Sequence, residues 1–171
     1  MRCLVAVVRR VVRCETRFSR QGELFQDLYP GLRRFAGAVA PLEIEPEDLV
    51  QEALTRLLGR GSLASVDDPG AYLRATMVRL ASNHRRSLGR RRRFVNSLNR
   101  HAECPLDVYP SDVAFLEHLS IEDRAVVYLT VVESVPAGEI GHTLGWSAAK
   151  VRVRKHRALQ RLRRLWEVDD D

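Results

Sequence analysis

Residues 139–164 read EIGHTLGWSAAKVRVRKHRALQRLRR. Ile140 and Leu144 stand one helical turn apart, Gly145 follows as a helix-ending residue, and Ser147 sits where a cap for a new helix belongs. Val151, Ala158, Leu162 and Leu165 then recur at helical spacing and predict a second helix from about Ala148 to Trp166. Helix, glycine turn, helix is the arrangement that lays a second helix in the major groove of DNA. Between Ala148 and Arg164 there are eight bases and no acid, whereas Val113 to Ser147 holds five acids against the single base Arg124. A basic face alone is as readily a solvated surface. On a reading helix it is a surface for a polyanion, with Lys150, Arg154 and Arg157 at three- and four-residue steps so that they can face one groove.

Upstream, Val113, Phe115, Leu116 and Leu119 open this second block, and Ser120 three residues before Asp123 reads as a helix cap. Val126, Val127, Leu129 and Val132 are its expected buried face. The first block is also helical. Leu24, Leu28, Leu32, Phe35 and Val39 share one face of a helix that Ala40-Pro41 ends. A second helix starts near Pro46, with Glu47 and Asp48 in the first turn, where negative charge suits the helix dipole. Its stripe is Leu49, Ala53 and Leu57, with Val50, Leu54 and Leu58 beside it. Gly59, Gly61 and Ser62 break that pattern, and Asp68-Pro69 restarts it as a cap and first-turn proline. The third helix carries Tyr72, Leu73, Thr76, Met77 and Leu80, followed by Arg85, Arg86 and Arg90 to Arg93. Phe94 to Asp112, with its prolines, Asn and Asp, reads as a linker. The expectation is an all-α chain: an extension over 1–20, a helical domain over 21–93, a flexible linker over 94–112, a second helical domain over 113–166 and an acidic tail over 167–171.

The chain has 171 residues and a formal net charge of +6, with 28 Lys+Arg against 22 Asp+Glu. That length holds one ordinary domain or two small ones and excludes a large multidomain enzyme. Only Lys150 and Lys155 are lysines, so the cationic excess is almost wholly arginine, the residue whose planar fork suits phosphate and guanine edges. A GC-rich genome would also favour arginine, so the positions of the cations are more telling than their type. No apolar run approaches the roughly 20 residues of a membrane span. Cys3, Cys14 and Cys104 form neither an even framework nor a CxxC pair, which fits reduced thiols in the cytoplasm. The Val-rich, Arg-interrupted first 20 residues have a transit-peptide flavour, but read better as a short extension or a misplaced start than as a secretory signal.

Two strings carry a resemblance. Glu139-Ile140-Gly141, Leu144-Gly145, Val151-Arg152 and His156-Arg157-Ala158 with Leu162-Arg163 resemble region 4 of bacterial sigma-70-type RNA polymerase sigma factors, closest to the extracytoplasmic-function (ECF) group. Asp48-Leu49-Val50-Gln51-Glu52-Ala53 resembles region 2.2 of that family, and Ala71-Tyr72-Leu73 followed by Arg85-Arg86 resembles its region 2.4 helix. The resemblance spans roughly Leu24 to Leu165. It implies a factor that joins core RNA polymerase, through the β′ clamp and the β flap, and promoter DNA, reading the −10 and −35 elements and promoting strand opening. It implies polymerase docking by Asp48, Leu49, Gln51 and Glu52. It implies −10 contacts from Tyr72, Arg74, Arg79, Asn83, Arg85 and Arg86, with the preceding Gly59 to Asp67 loop. It implies −35 contacts from Ser147, Lys150, Arg152, Arg154, Lys155 and Arg157. His156 reads as packing or phosphate support. An anti-sigma factor is a further implied partner. Three departures stand out: Ser120 replaces the family's proline before region 4, Lys150 its threonine at the start of the reading helix, and Arg79 aligns with its region 2.4 asparagine. They prevent a promoter sequence from being carried over.

Catalytic readings fail on chemistry. His101-Ala102-Glu103 with Cys104-Pro105 superficially matches the His-x-Glu of zinc deaminases, but no Pro-Cys-x-x-Cys follows. No Cys/His set has metal-ligand spacing, and there is neither a GxxxxGK[ST] loop nor a GxSxG elbow. The expectation is no enzyme, no metal and no cofactor. The rival reading is a stand-alone helix-turn-helix regulator, which would ordinarily carry a dimerisation or effector module. A basic RNA-binding or ribosome-associated protein would leave Asp48 to Ala53 unexplained.

Overall fold

The computed structural model describes the backbone over residues 2–98, at 116 and over 118–169, and side chains over 21–87, at 116 and over 118–165. All regular structure among these residues is helical. Helix α1 spans Arg2–Val39, α2 Pro46–Leu58 and α3 Pro69–Leu98, with a short 3₁₀ turn at Leu63–Ser65 between α2 and α3. Helix α4, Ile121–Val127, continues as a π-helical turn over Tyr128–Val132, and α5 (Ala137–Leu144) and α6 (Ala148–Asp169) complete the chain.

Helices α3 and α4 start where short polar side chains satisfy orphan amides. The Ser120 hydroxyl accepts from the Asp123 amide at 3.2 Å and donates to the Asp123 carboxylate at 2.7 Å, closing the first turn of α4. Asp68 accepts from the Ala71 amide at 2.8 Å ahead of Pro69. Pro46 opens α2, and α1 tolerates Pro30 on an exposed position.

Two helix boundaries and one buried position differ from expectation. The backbone of residues 2–20 belongs to α1 rather than to a separate extension. Helix α3 runs through the arginine cluster to Leu98, taking in the first five residues expected to be linker. Arginine is a good helix former, and the repulsion between neighbouring like charges on a helix is too small to outweigh that propensity. The remainder of the expected linker, Val113, Phe115 and the three cysteines lie outside the described side chains. Val132 is 62% exposed rather than buried, because the π turn rotates the face that α4 buries.

Leu32, Phe35 and Val39 of α1 pack with Leu49, Val50, Ala53 and Leu57 of α2 and with Leu73, Met77 and Leu80 of α3. Leu119, Ile121, Val126, Ile140, Leu144, Val151, Ala158 and Leu162 form the second core. The two blocks are packed together. Phe35, wholly buried, meets the ring of Tyr128 edge-on with centroids 5.7 Å apart. Burial holds the Tyr128 phenol above its ordinary range, with Glu133 adding to the shift. Polar contacts surround this seam: Arg74 with Glu133 at 3.1 Å, Ser82 donating to Glu122 at 3.0 Å, and Arg85 donating to the Leu119 carbonyl at 3.1 Å. The buried Arg124 donates to the Ala40 carbonyl at 3.2 Å, joining α4 to the end of α1.

Phe35→Ala would remove the largest side chain common to both cores. It should lower unfolding free energy by about 3 to 5 kcal/mol, read as a drop in the urea midpoint. A loss under about 1 kcal/mol would mean that Phe35 does not couple the blocks.

Candidate nucleic-acid interface

The geometry of α5, the turn and α6 is fixed by close backbone approach. Gly145 adopts φ +70°, left-handed, as the end of α5 requires. The Trp146 amide donates to the Gly141 carbonyl at 2.7 Å. A Cβ at Gly141 would lie 2.5 Å from the Trp146 carbonyl oxygen, so only glycine lets the turn close against α5. The Ser147 hydroxyl accepts from the Lys150 amide at 3.2 Å, as a cap should, and sets the start of α6.

Val151, Ala158 and Leu162 of α6 are buried, while Lys150, Arg152, His156, Arg157, Arg161, Arg163 and Arg164 are exposed. Two of the expected contacts are partly engaged within the protein. Arg154 donates to the Asp123 carboxylate at 2.7 Å and its guanidinium lies 5.0 Å from the centre of the Trp146 ring. Lys150 places its ammonium 4.4 Å from the same ring. Lys155 is half-buried. Asp123 therefore both accepts from the cap residue Ser120 in the first turn of α4 and holds Arg154 of α6, a second role that the capping pattern alone does not reveal. Trp146 was legible only as part of the turn.

The candidates on α3 fall on two faces. Tyr72, Arg79, Asn83 and Arg86 share one side by helical spacing, and Arg74 and Arg85 share the other. Arg74 and Arg85 are the residues that contact Glu133 and the Leu119 carbonyl of the second block. Arg79, Asn83 and Arg86 are exposed and line a crevice of about 370 Å³, with Glu122, Leu144 and Trp146 across it. Tyr72 accepts a 2.9 Å hydrogen bond from Arg60, which ties the Gly59 to Asp67 loop to the start of α3.

On α2, Asp48 and Gln51 are exposed and Glu52 half-exposed, forming one polar face. Leu49 is only 1% exposed, so it belongs to the core and not to a docking surface; its place in the helical stripe turns it inward. Glu52 pairs with Arg56 at 2.7 Å and lies 3.5 Å from His84. Glu47, in the same first turn, is hydrogen-bonded to Arg33 of α1, which holds its carboxyl below the usual range and the Arg33 guanidinium above its own. Among the described residues no cluster of His, Cys, Asp and Glu could hold a metal ion, and no helix is long and apolar enough to cross a membrane.

Comparison with known proteins places these features in one context. The family description "Sigma-70 region 2" matches residues 24–91, and "Sigma-70, region 4" matches residues 115–164. The chain is similar to the RNA polymerase sigma-E factor of Streptomyces avermitilis, 32% identical over 153 residues, covering 81% of this chain and 80% of the relative. It is also similar to a probable ECF RNA polymerase sigma factor, SigI, of Mycobacterium tuberculosis, 30% identical over 131 residues, covering 68% of this chain and 45% of the relative. Its fold is similar to that of the sigma factor RpoE of Bartonella quintana, solved in complex with the anti-sigma factor NepR. There the TM-score is 0.61 at 22% identity, over 86% of this chain and 97% of that one.

Gly141→Ala should cost about 1 to 3 kcal/mol of stability in urea unfolding, because the clash is with backbone and not with a side chain that can swing away. A variant as stable as the native chain would show that the turn relaxes freely.

Proposed function

The chain belongs to the sigma-70 family of RNA polymerase sigma factors, and on that premise we propose how its surfaces divide the work of promoter-specific initiation. It is a sigma factor of the ECF kind, whose partners are core RNA polymerase and promoter DNA. One pairing supports the assignment of surfaces: a helix-turn-helix whose second helix bears eight cations and no acid over Ala148 to Arg164, and an exposed carboxylate and amide face on α2. A regulator that binds operators alone has no need of the second surface.

In this reading Asp48, Gln51 and Glu52 meet the β′ clamp of the polymerase, with Leu49 fixing the helix from inside. Carboxylates on the rim of an interface speed association and fix register against a basic partner. The second block takes the −35 duplex through α6 and the polymerase's β flap elsewhere. The exposed arginines of α6 bind phosphates, a salt-dependent term that positions the helix. Ser147 caps the reading helix at the groove.

Tyr72, Arg79, Asn83 and Arg86 form the face of α3 for the −10 strand, where an aromatic ring and cations along a backbone suit unstacked bases. Arg74 and Arg85 hold the second block in this structure. For them to reach the −10 strand the blocks must part, so the packed arrangement is the form before promoter engagement. An anti-sigma protein that stabilises the packed form is a candidate regulator, in keeping with the complex in which the similar Bartonella quintana factor was solved. The chain acts in the cytoplasm, where polymerase and chromosome are, and contributes binding energy rather than covalent chemistry.

Purified protein added to core polymerase from its host should yield specific run-off transcripts from genomic fragments; neither transcripts nor core association would overturn the reading. Combining Asp48→Arg with Gln51→Ala should weaken core association at least ten-fold and leave the chain's affinity for duplex DNA within two-fold, both read by fluorescence anisotropy. Equal losses in the two assays would contradict the separation of surfaces.

A further inference from the structure

Helix α6 carries an apolar side chain where a polycationic helix has least reason for one. Val153 is 49% exposed, two residues from the buried Val151 and so about 200° around the helix from it, at about 100° per residue. Ala149, one turn before it, and His156 and Arg157, one turn after it, are all exposed with it. The cations lie to either side. Arg152 stands on one flank, Lys150 and Arg157 on the other. Lys150 and Arg154 are drawn back onto the ring of Trp146, at 4.4 and 5.0 Å, and Asp123 holds Arg154 at 2.7 Å. The middle of the outward face over the first two turns is therefore the methyl of Ala149 and the isopropyl group of Val153. These turns of a reading helix are the ones that reach base edges, while its flanks meet the phosphates of the two groove walls.

Packing does not explain Val153, because the side chain is half out of the protein. Helix stability does not explain it either, since a β-branched residue is a poorer helix former than the arginines around it. Its chemistry has one match in the major groove. Valine can neither donate nor accept a hydrogen bond, so it leaves the polar edges of guanine, adenine and cytosine unanswered. The thymine 5-methyl is the one apolar group displayed there. Resting on the assignment of α6 to the −35 duplex, we propose that Val153 is a specificity-determining residue whose isopropyl group packs on the 5-methyl of one thymine in that element. The flanking cations set the depth and register of the helix, and Val153 selects the base.

The test uses the full chain with core polymerase and a template library randomised through the −35 element. In the enriched sequence, each thymine of either strand is replaced in turn by deoxyuridine, which lacks only the methyl group. One position should lose roughly four-fold in initiation, the value of burying one methyl group. Val153→Ser, whose surface position leaves the thermal midpoint unchanged, should initiate equally from thymine and deoxyuridine there. Val153→Ile should keep the preference. An enriched element with no methyl-sensitive thymine, or a Val153→Ser protein that retains the sensitivity, overturns the role of Val153 alone. A library showing no −35 preference overturns the assignment of α6 as well.

Discussion

The close approach of Gly141 to the backbone of Trp146 is the constraint on which the nucleic-acid surface rests. A helix can leave a left-handed residue in many directions. Here the Trp146 carbonyl lies where a side chain at Gly141 would stand, and the Trp146 amide bonds back to Gly141, so one direction remains. That direction buries Val151, Ala158 and Leu162 against α4 and α5 and turns Ala149, Val153 and Arg157 outward. Asp123 then fastens α6 from the other side through Arg154. Cation placement is thus a consequence of backbone geometry in a turn that carries no cation itself.

The same logic explains the acidic surface. Leu49, Ala53 and Leu57 anchor α2 in the first core, which leaves Asp48 and Gln51 on the opposite side. The Arg33 and Glu47 pair adds a cross-link between α1 and α2 at the edge of that face. The acidic helix α2 and the basic helix α6 are anchored in different parts of one continuous core, α2 in the first block and α6 in the second. The net charge of +6 conceals this division.

Much of the architecture was legible because it is written in local signals. Ser120 with Asp123, Asp68 with Pro69, Pro46, and Gly145 with Ser147 each act within one helical turn, and each is found at a helix end. What stayed hidden was of longer range or changed the period. The pairing of Arg74 with Glu133 joins residues 59 positions apart, and no spacing rule foresees it. The π turn at Tyr128–Val132 adds a residue to one turn and moves Val132 outward, against a face drawn for an α-helix. Leu49 stands among the docking residues in the motif, although its own helical stripe points inward. Val153, one exposed apolar side chain among the cations of α6, carries no periodic signal of its own.

Arg74 carries a feature of a different kind. Its Nε is buried with no hydrogen-bond partner, although the same guanidinium pairs with Glu133. A buried donor left in this state costs roughly 1 to 3 kcal/mol. On the proposed parting of the blocks, water would reach this nitrogen, which would offset part of what the Phe35 and Tyr128 contact contributes. The charged contacts nearby exchange protein for solvent with little net change, and the aromatic pair opposes separation. If the blocks part for promoter engagement as proposed, that one nitrogen would favour the open form, and a ligand would need to prefer one state over the other by only a few kcal/mol to shift the balance.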